Sequence, residues 1–144
     1  MNPLEQASAR LKNTANQFYA CQRGLQLLIA TTSDTGPAQA ALSELPRTFA
    51  FRLLAEFEGI LTELGPRLSP PPGALPLVFT SEDGLAKKMA AIGKRTGMPK
   101  DIRALFDSEL RQKRNELLHG EDTPAEFEPL LAAVKLFLDQ CAGA

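Results

Sequence analysis

The chain has 144 residues, 44% of them hydrophobic, with a formal net charge of −1 and two cysteines. Those bounds fit one domain able to bury a core unaided. They exclude a disulfide framework, a run of about 20 apolar residues able to cross a bilayer, and an overall charge suited to a polyanion. The opening residues Met1 to Gln6 lack a basic-then-apolar leader, which points to the cytoplasm. Cys21 and Cys141 lie in apolar helical contexts and read as buried free thiols, without metal-ligand spacing.

In chain order, Asn2-Pro3 marks a helix start, and Leu4, Ala7, Leu11, Ala15, Phe18, Gln22, Leu25 and Ile29 recur at spacings of three and four. A first helix is predicted to about Ala30, followed by a loop over Thr31 to Pro37. Phe49, Leu53, Phe57, Ile60, Leu61 and Leu64 form the stripe of a second helix closed by Gly65-Pro66, with Arg52 and Glu56 paired on another face. Its start falls either at Pro46 or within Ala38 to Leu45. Five prolines between Gly65 and Phe79 make an irregular connection at about 65–80. Ser81 is expected to cap a third helix that fails around Gly93 to Gly97. Pro99 then opens a fourth, with Ile102, Leu105, Phe106, Leu110 and Leu117 as its core stripe, and Gly120 stops it. Thr123-Pro124-Ala125-Glu126 matches a capping box for a fifth helix reaching about Gln140. No strand-like alternation or repeat competes, so the expected fold is all-α: a single-domain bundle of four to five antiparallel helices over residues 1–144.

The fourth helix carries the chemistry. Its end reads Arg114-Asn115-Glu116-Leu117-Leu118-His119, and His119 is the chain's one histidine. An imidazole can exchange a proton near neutrality, while a guanidinium stays charged and grips phosphate through two parallel hydrogen bonds. Five helical steps separate Arg114 and His119 by about 140° around the axis, so the two do not share a face. Cleavage of RNA by its own 2′-hydroxyl needs a base, an acid and positive charge at the phosphorus. One chain has one imidazole; two copies meeting about a two-fold axis would supply two histidines and two arginines without a metal or cofactor. Asn115, one turn before His119, is placed to orient the histidine or the substrate.

Nine basic residues stand between Gly84 and Arg114 against the acidic Asp101, Asp107 and Glu109, and the sign reverses from Asn115 onward. Lys87, Lys88, Lys94, Arg95, Arg111 and Lys113 are therefore candidates for an RNA-attracting track. The structural alternatives are solvated helix faces for the lysines, a helix-capping role for His119, and an ion pair of Arg114 with Glu56 or Glu58. Gly93 to Gly97 lacks the spacing of a phosphate-binding loop, which ranks simple nucleotide binding last.

Arg-x4-His with a polar residue directly after the arginine resembles the signature of the HEPN superfamily (higher eukaryotes and prokaryotes nucleotide-binding domains). Phe51-Arg52-Leu53-Leu54-Ala55-Glu56-Phe57-Glu58 is similar to the aromatic, arginine and glutamate pattern of an earlier helix in that family. The resemblance covers roughly residues 40 to 140. It implies a HEPN-like helical bundle and a metal-independent endoribonuclease, homodimeric through the Arg114–His119 helix, often a toxin or part of a defence or stress system. By position, Arg114 and His119 are its catalytic residues and Asn115 supports them. The resemblance leaves room for an antitoxin or regulatory partner. However, Gly120-Glu121 follows His119 where toxins paired with a nucleotidyltransferase often carry a tyrosine at the second place, so modification by that type of antitoxin is not implied. The rival reading is a non-catalytic helical dimeric regulator or adaptor that binds protein or RNA, with His119 buried as a cap and the arginines facing no open cleft.

Overall fold

The computed structural model describes residues 2–119 and 126–142. Six α-helices order the described chain: α1 (Pro3–Thr31), α2 (Gly36–Arg67), α3 (Leu85–Arg95), α4 (Lys100–Phe106), α5 (Gln112–Leu118) and α6 (Phe127–Ala142). A π-helical stretch, Asp107–Arg111, joins α4 to α5 without a non-helical residue, so the expected fourth helix is one element with a π turn inside it. The all-α bundle expected from the sequence is the fold observed, and no strand occurs among the described residues.

α1 begins where Asn2 Oδ1 accepts the Glu5 N–H at 2.8 Å and the Glu5 carboxylate accepts the Asn2 N–H in return at 3.3 Å. This reciprocal cap satisfies donors that the first turn would otherwise leave open. After a short turn α2 runs back along α1. Arg67 meets Gln6, Arg10 meets Glu63 and Glu56, and the Phe18 ring meets Phe49, an antiparallel register throughout. α2 starts at Gly36, with Pro37 in its first turn, and passes through Pro46 rather than beginning there. It ends at Arg67, two residues past Gly65. The expected Arg52–Glu56 pair is not formed. Glu56 instead takes Arg10 of α1 at 2.6 Å, and the Arg52 guanidinium lies 5.5 Å from the centre of the Phe49 ring.

The stripe Phe49, Leu53, Phe57, Ile60, Leu61 and Leu64 is wholly buried, against Ala7, Leu11, Ala15 and Phe18 of α1 and Phe127, Leu130, Val134 and Phe137 of α6. Rings carry the packing across elements. Phe18 stacks on Phe127 at 4.3 Å, and Phe137 receives Phe57 and Phe106 edge-on at 5.5 and 5.3 Å. Such pairs add about 0.5–1.5 kcal/mol each beyond the area they bury. Beyond Phe18 and before Leu45 the α1/α2 hairpin extends past this core; Leu25 and Leu42 are half-buried, while Leu27 and Leu28 are exposed.

Several sequence expectations need correction. Leu105 is exposed, because it stands about 100° around the helix from Phe106, whose face Ile102 and Leu110 share. Ser81 does not cap α3: residues 80–83 form a turn in which Asp83 accepts the Thr80 N–H, and the helix starts after Gly84. α3 stops where expected, and Gly97 takes a positive φ of 78° that a side chain would resist. Cys21 is exposed, whereas Cys141 is buried as expected. The stop at Gly120 and the capping box from Thr123 lie outside the described residues.

The connection after α2 packs back onto the bundle through Leu77 and Phe79. A Cβ on Gly65 would come within 2.7 Å of the Phe79 ring, so only a bare backbone lets the connection approach α2 this closely.

Two outcomes follow from this packing. Phe57→Ala removes a fully buried ring and should cost about 3–5 kcal/mol in urea denaturation. Burial pushes the Cys141 thiol up to about 11 from 9.0, with a hydrogen bond to Thr96 pulling partly against it. The folded chain therefore holds the proton that the unfolded chain releases above pH 9.0, and stability falls as pH rises from there toward 11. At pH 10 the wild type should lose about 1 kcal/mol more, relative to pH 8, than Cys141→Ala does.

Candidate functional site

α5 is short, and its position is set from three sides. Leu110 of the π turn and Leu117 are buried; α2 lies along one flank of α5, and α6 packs on the π turn that precedes it. Because α5 is regular from Gln112 to Leu118, the offset of about 140° between Arg114 and His119 persists in the folded chain. Arg114 turns toward α2, where its Nε lies 2.9 Å from Glu58 Oε1. The structural alternative expected for Arg114, an ion pair, is thus formed, with Glu58 as the partner and Glu56 held by Arg10. The contact is an ion pair whose angles fall short of a hydrogen bond, since the buried Oε1 has no hydrogen-bond donor. It leaves the two Nη groups on the other edge of the guanidinium.

His119 is the C-cap of α5 and is exposed to solvent. Its backbone N–H donates to the Asn115 carbonyl at 3.0 Å, so the observed link between these two residues runs through the main chain. Leu118 beside it is 57% exposed. The terminal carbonyls gain a donor that the sequence reading missed. Arg47 of α2 sends Nη2 to the Leu117 carbonyl at 3.3 Å, its guanidinium 5.9 Å from the Phe51 ring centre. The i,i+4 spacing of Arg47 and Phe51 was the available signal, yet nothing local tied it to a helix 70 residues later.

The basic track divides. Lys87, Lys94 and Arg95 gather on the outer side of α3 around a depression of about 510 Å³ that Pro71 and Leu77 of the proline-rich connection also line. Arg95 Nη2 donates to the Leu75 carbonyl, while its buried Nη1 has no acceptor. Lys87 bonds Asp83 at 2.7 Å, which together with the Thr80 N–H holds the Asp83 carboxyl below the usual carboxylate range. Lys88 does not join them: it faces the core and is only 7% exposed. Arg111 and Lys113 stand instead on the α5 side, paired within the helix to Asp107 and Glu116.

On the flank of α5 away from Arg114, the π turn and α6 enclose a groove of about 890 Å³. Among the described residues no group of three or more His, Cys, Asp and Glu converges as a metal site. No helix of the described residues is long and apolar enough to cross a membrane. No family model, curated protein or solved structure matches the chain.

The Glu58–Arg114 contact is half-exposed, so its worth is bounded by solvent screening. A double-mutant cycle of Glu58→Gln and Arg114→Met should give a coupling of about 1 kcal/mol or less, shrinking with added salt. A coupling above about 3 kcal/mol would mean a pair far better shielded from water than this one.

Proposed function

We propose that the protein is a metal-independent endoribonuclease of HEPN type, acting as a homodimer in a toxin, defence or stress setting. One observation carries the proposal. The Glu58–Arg114 contact joins the two segments on which the family resemblance rests, Phe51–Glu58 and Arg114–His119, which are distant in sequence. The exposure of His119 supports it further, because the rival reading required that side chain to be buried as a cap.

The chemistry divides between the two protomers. One His119 takes the proton of the ribose 2′-hydroxyl as its oxygen attacks the neighbouring phosphorus. The P–O5′ bond breaks, and the departing 5′-oxygen takes a proton from the other protomer's histidine. Arg114, held at Nε by Glu58, offers its Nη edge to the phosphate oxygens as negative charge develops. Glu58 acts as a positioning residue. The products are a 2′,3′-cyclic phosphate and a 5′-hydroxyl. Lys87, Lys94 and Arg95 make the basic approach for the strand, and exposed Leu118 belongs to the contact between copies.

The second reading, a non-catalytic dimeric regulator or adaptor, is favoured by the groove on the far flank of α5, which is larger than the depression beside the basic cluster.

Purified dimer should cut single-stranded RNA equally well with and without EDTA. Arg114→Ala and His119→Ala should each lower the rate by about 10²-fold or more while leaving the dimer intact. Wild-type dimer that leaves RNA whole, with both variants still binding partners normally, would reject the nuclease in favour of the adaptor.

A further inference from the structure

The groove between α5 and α6 has a composition that RNA cleavage does not use. One wall is Ser108 and Glu109 of the π turn with Gln112 and Glu116 of α5; Leu130 and Ala133 of α6 line the other side. Leu136 also faces it and is 52% exposed, although it stands on a helix whose other leucines are buried. Three carboxylates, Glu109, Glu116 and Glu126, line it against one ammonium, Lys113, whose Nζ is 3.3 Å from Glu116. The net local charge is negative above an apolar floor.

We propose that this groove docks a basic amphipathic helix of another protein. From Ser108 to Glu116 the wall advances about 12 Å, and α6 runs about 10 Å from Pro129 to Leu136, room for two turns of a helix. Ala132 and Ala133 keep the floor shallow enough for a backbone to approach, and Leu136 offers the apolar contact that such a helix fills with residues at i, i+3, i+4 and i+7. Lysines or arginines flanking that seam meet the three glutamates, whose charge speeds encounter and selects against acidic partners. The π turn belongs to the site. Helices widened this way occur often at functional positions, and here the widened turn supplies Ser108 and Glu109 to the wall.

Charge and burial separate this occupant from two others. A second copy meeting the groove face to face would set the three glutamates against their own images. The most basic amphipathic helix of this chain, α3, already buries its apolar face through Leu85, Met89 and Ile92. An RNA strand would meet carboxylates here, whereas the cationic cluster of Lys87, Lys94 and Arg95 lies around a different depression. The proposal does not depend on RNA cleavage, since none of Arg114, Asn115 and His119 lines the groove.

The test is fluorescence anisotropy of the full chain with a labelled helical peptide of about 18 residues, bearing leucines on one seam and lysines on its flanks. Micromolar binding is expected, weakening as salt rises, and none for the same seam flanked by glutamates. Ala132→Trp, which fills the groove from an exposed position, and the double change Glu109→Lys with Glu126→Lys should each weaken binding at least tenfold. Circular dichroism should show both variants folded. Absence of binding, equal binding of the glutamate-flanked peptide, or binding that survives either variant overturns the proposal. A dimer that Ala132→Trp dissociates in sedimentation would assign the groove to a second copy, and a polyuridine oligonucleotide that displaces the peptide would assign it to nucleic acid; either overturns it. RNA cleavage measured on the same variants reads the nuclease independently.

Discussion

Phe137 decides where the helix bearing Arg114 and His119 can lie. Its ring meets Phe57 of α2 and Phe106 of α4 edge-on, so three helices share one contact in the interior. Interiors are packed too densely to let such a junction drift. With Phe106 held, the π turn and α5 leave it in a fixed direction. Buried Leu110 and Leu117 then anchor the remaining length, the π turn against α6 and α5 against α2. The Glu58 contact of Arg114 and the Arg47 contact of the Leu117 carbonyl are consequences of that seating. Each is a part-buried polar contact too weak to position a helix alone.

This arrangement gives α5 two unlike flanks. Toward α2 it offers Arg114 and the exposed Leu118; toward α6 it offers Glu116, across the groove from alanine and leucine. Arg114 and the glutamates that line the groove can therefore meet different partners. His119, at the helix end, belongs wholly to neither flank. Its angular position, within about 20° of Gln112, leans toward the groove.

The stripe of α2 and the N-terminal cap of α1 were legible because they rest on local spacing: every residue from Phe49 to Leu64 named for the core is buried, and Asn2-Pro3 opens α1. The same logic located the connection and the end of α3. It failed where a local pattern competed with a distant partner. Arg52 and Glu56 have good helical spacing, yet Glu56 is taken by Arg10 across the hairpin at 2.6 Å and Arg52 lies over the Phe49 ring. Ser81 has a capping side chain, but Asp83 is the residue that closes the preceding turn. At the site, Arg114 and Glu58 could be named as candidate partners, while Arg47 could not be seen, because its acceptor is a backbone carbonyl whose exposure depends on where another helix ends. The acidic groove was equally hidden, since Glu109, Glu116 and Glu126 converge only when α6 is laid against the π turn.

The π turn carries a consequence for how such a chain can vary. A helix with one residue fewer between Phe106 and Gln112 could keep every side chain of the core stripe and of the Arg114–His119 segment. Because a π turn spends about one residue more than an α turn on the same rotation, shortening it to α geometry would leave all that follows at nearly the same angle to Phe106. Arg114 would stay beside Glu58, and the acidic wall would stay beside α6. A chain one residue shorter at this turn could thus keep the same motif pointing at the same neighbours, so a gap of one residue here does not separate kin from look-alikes.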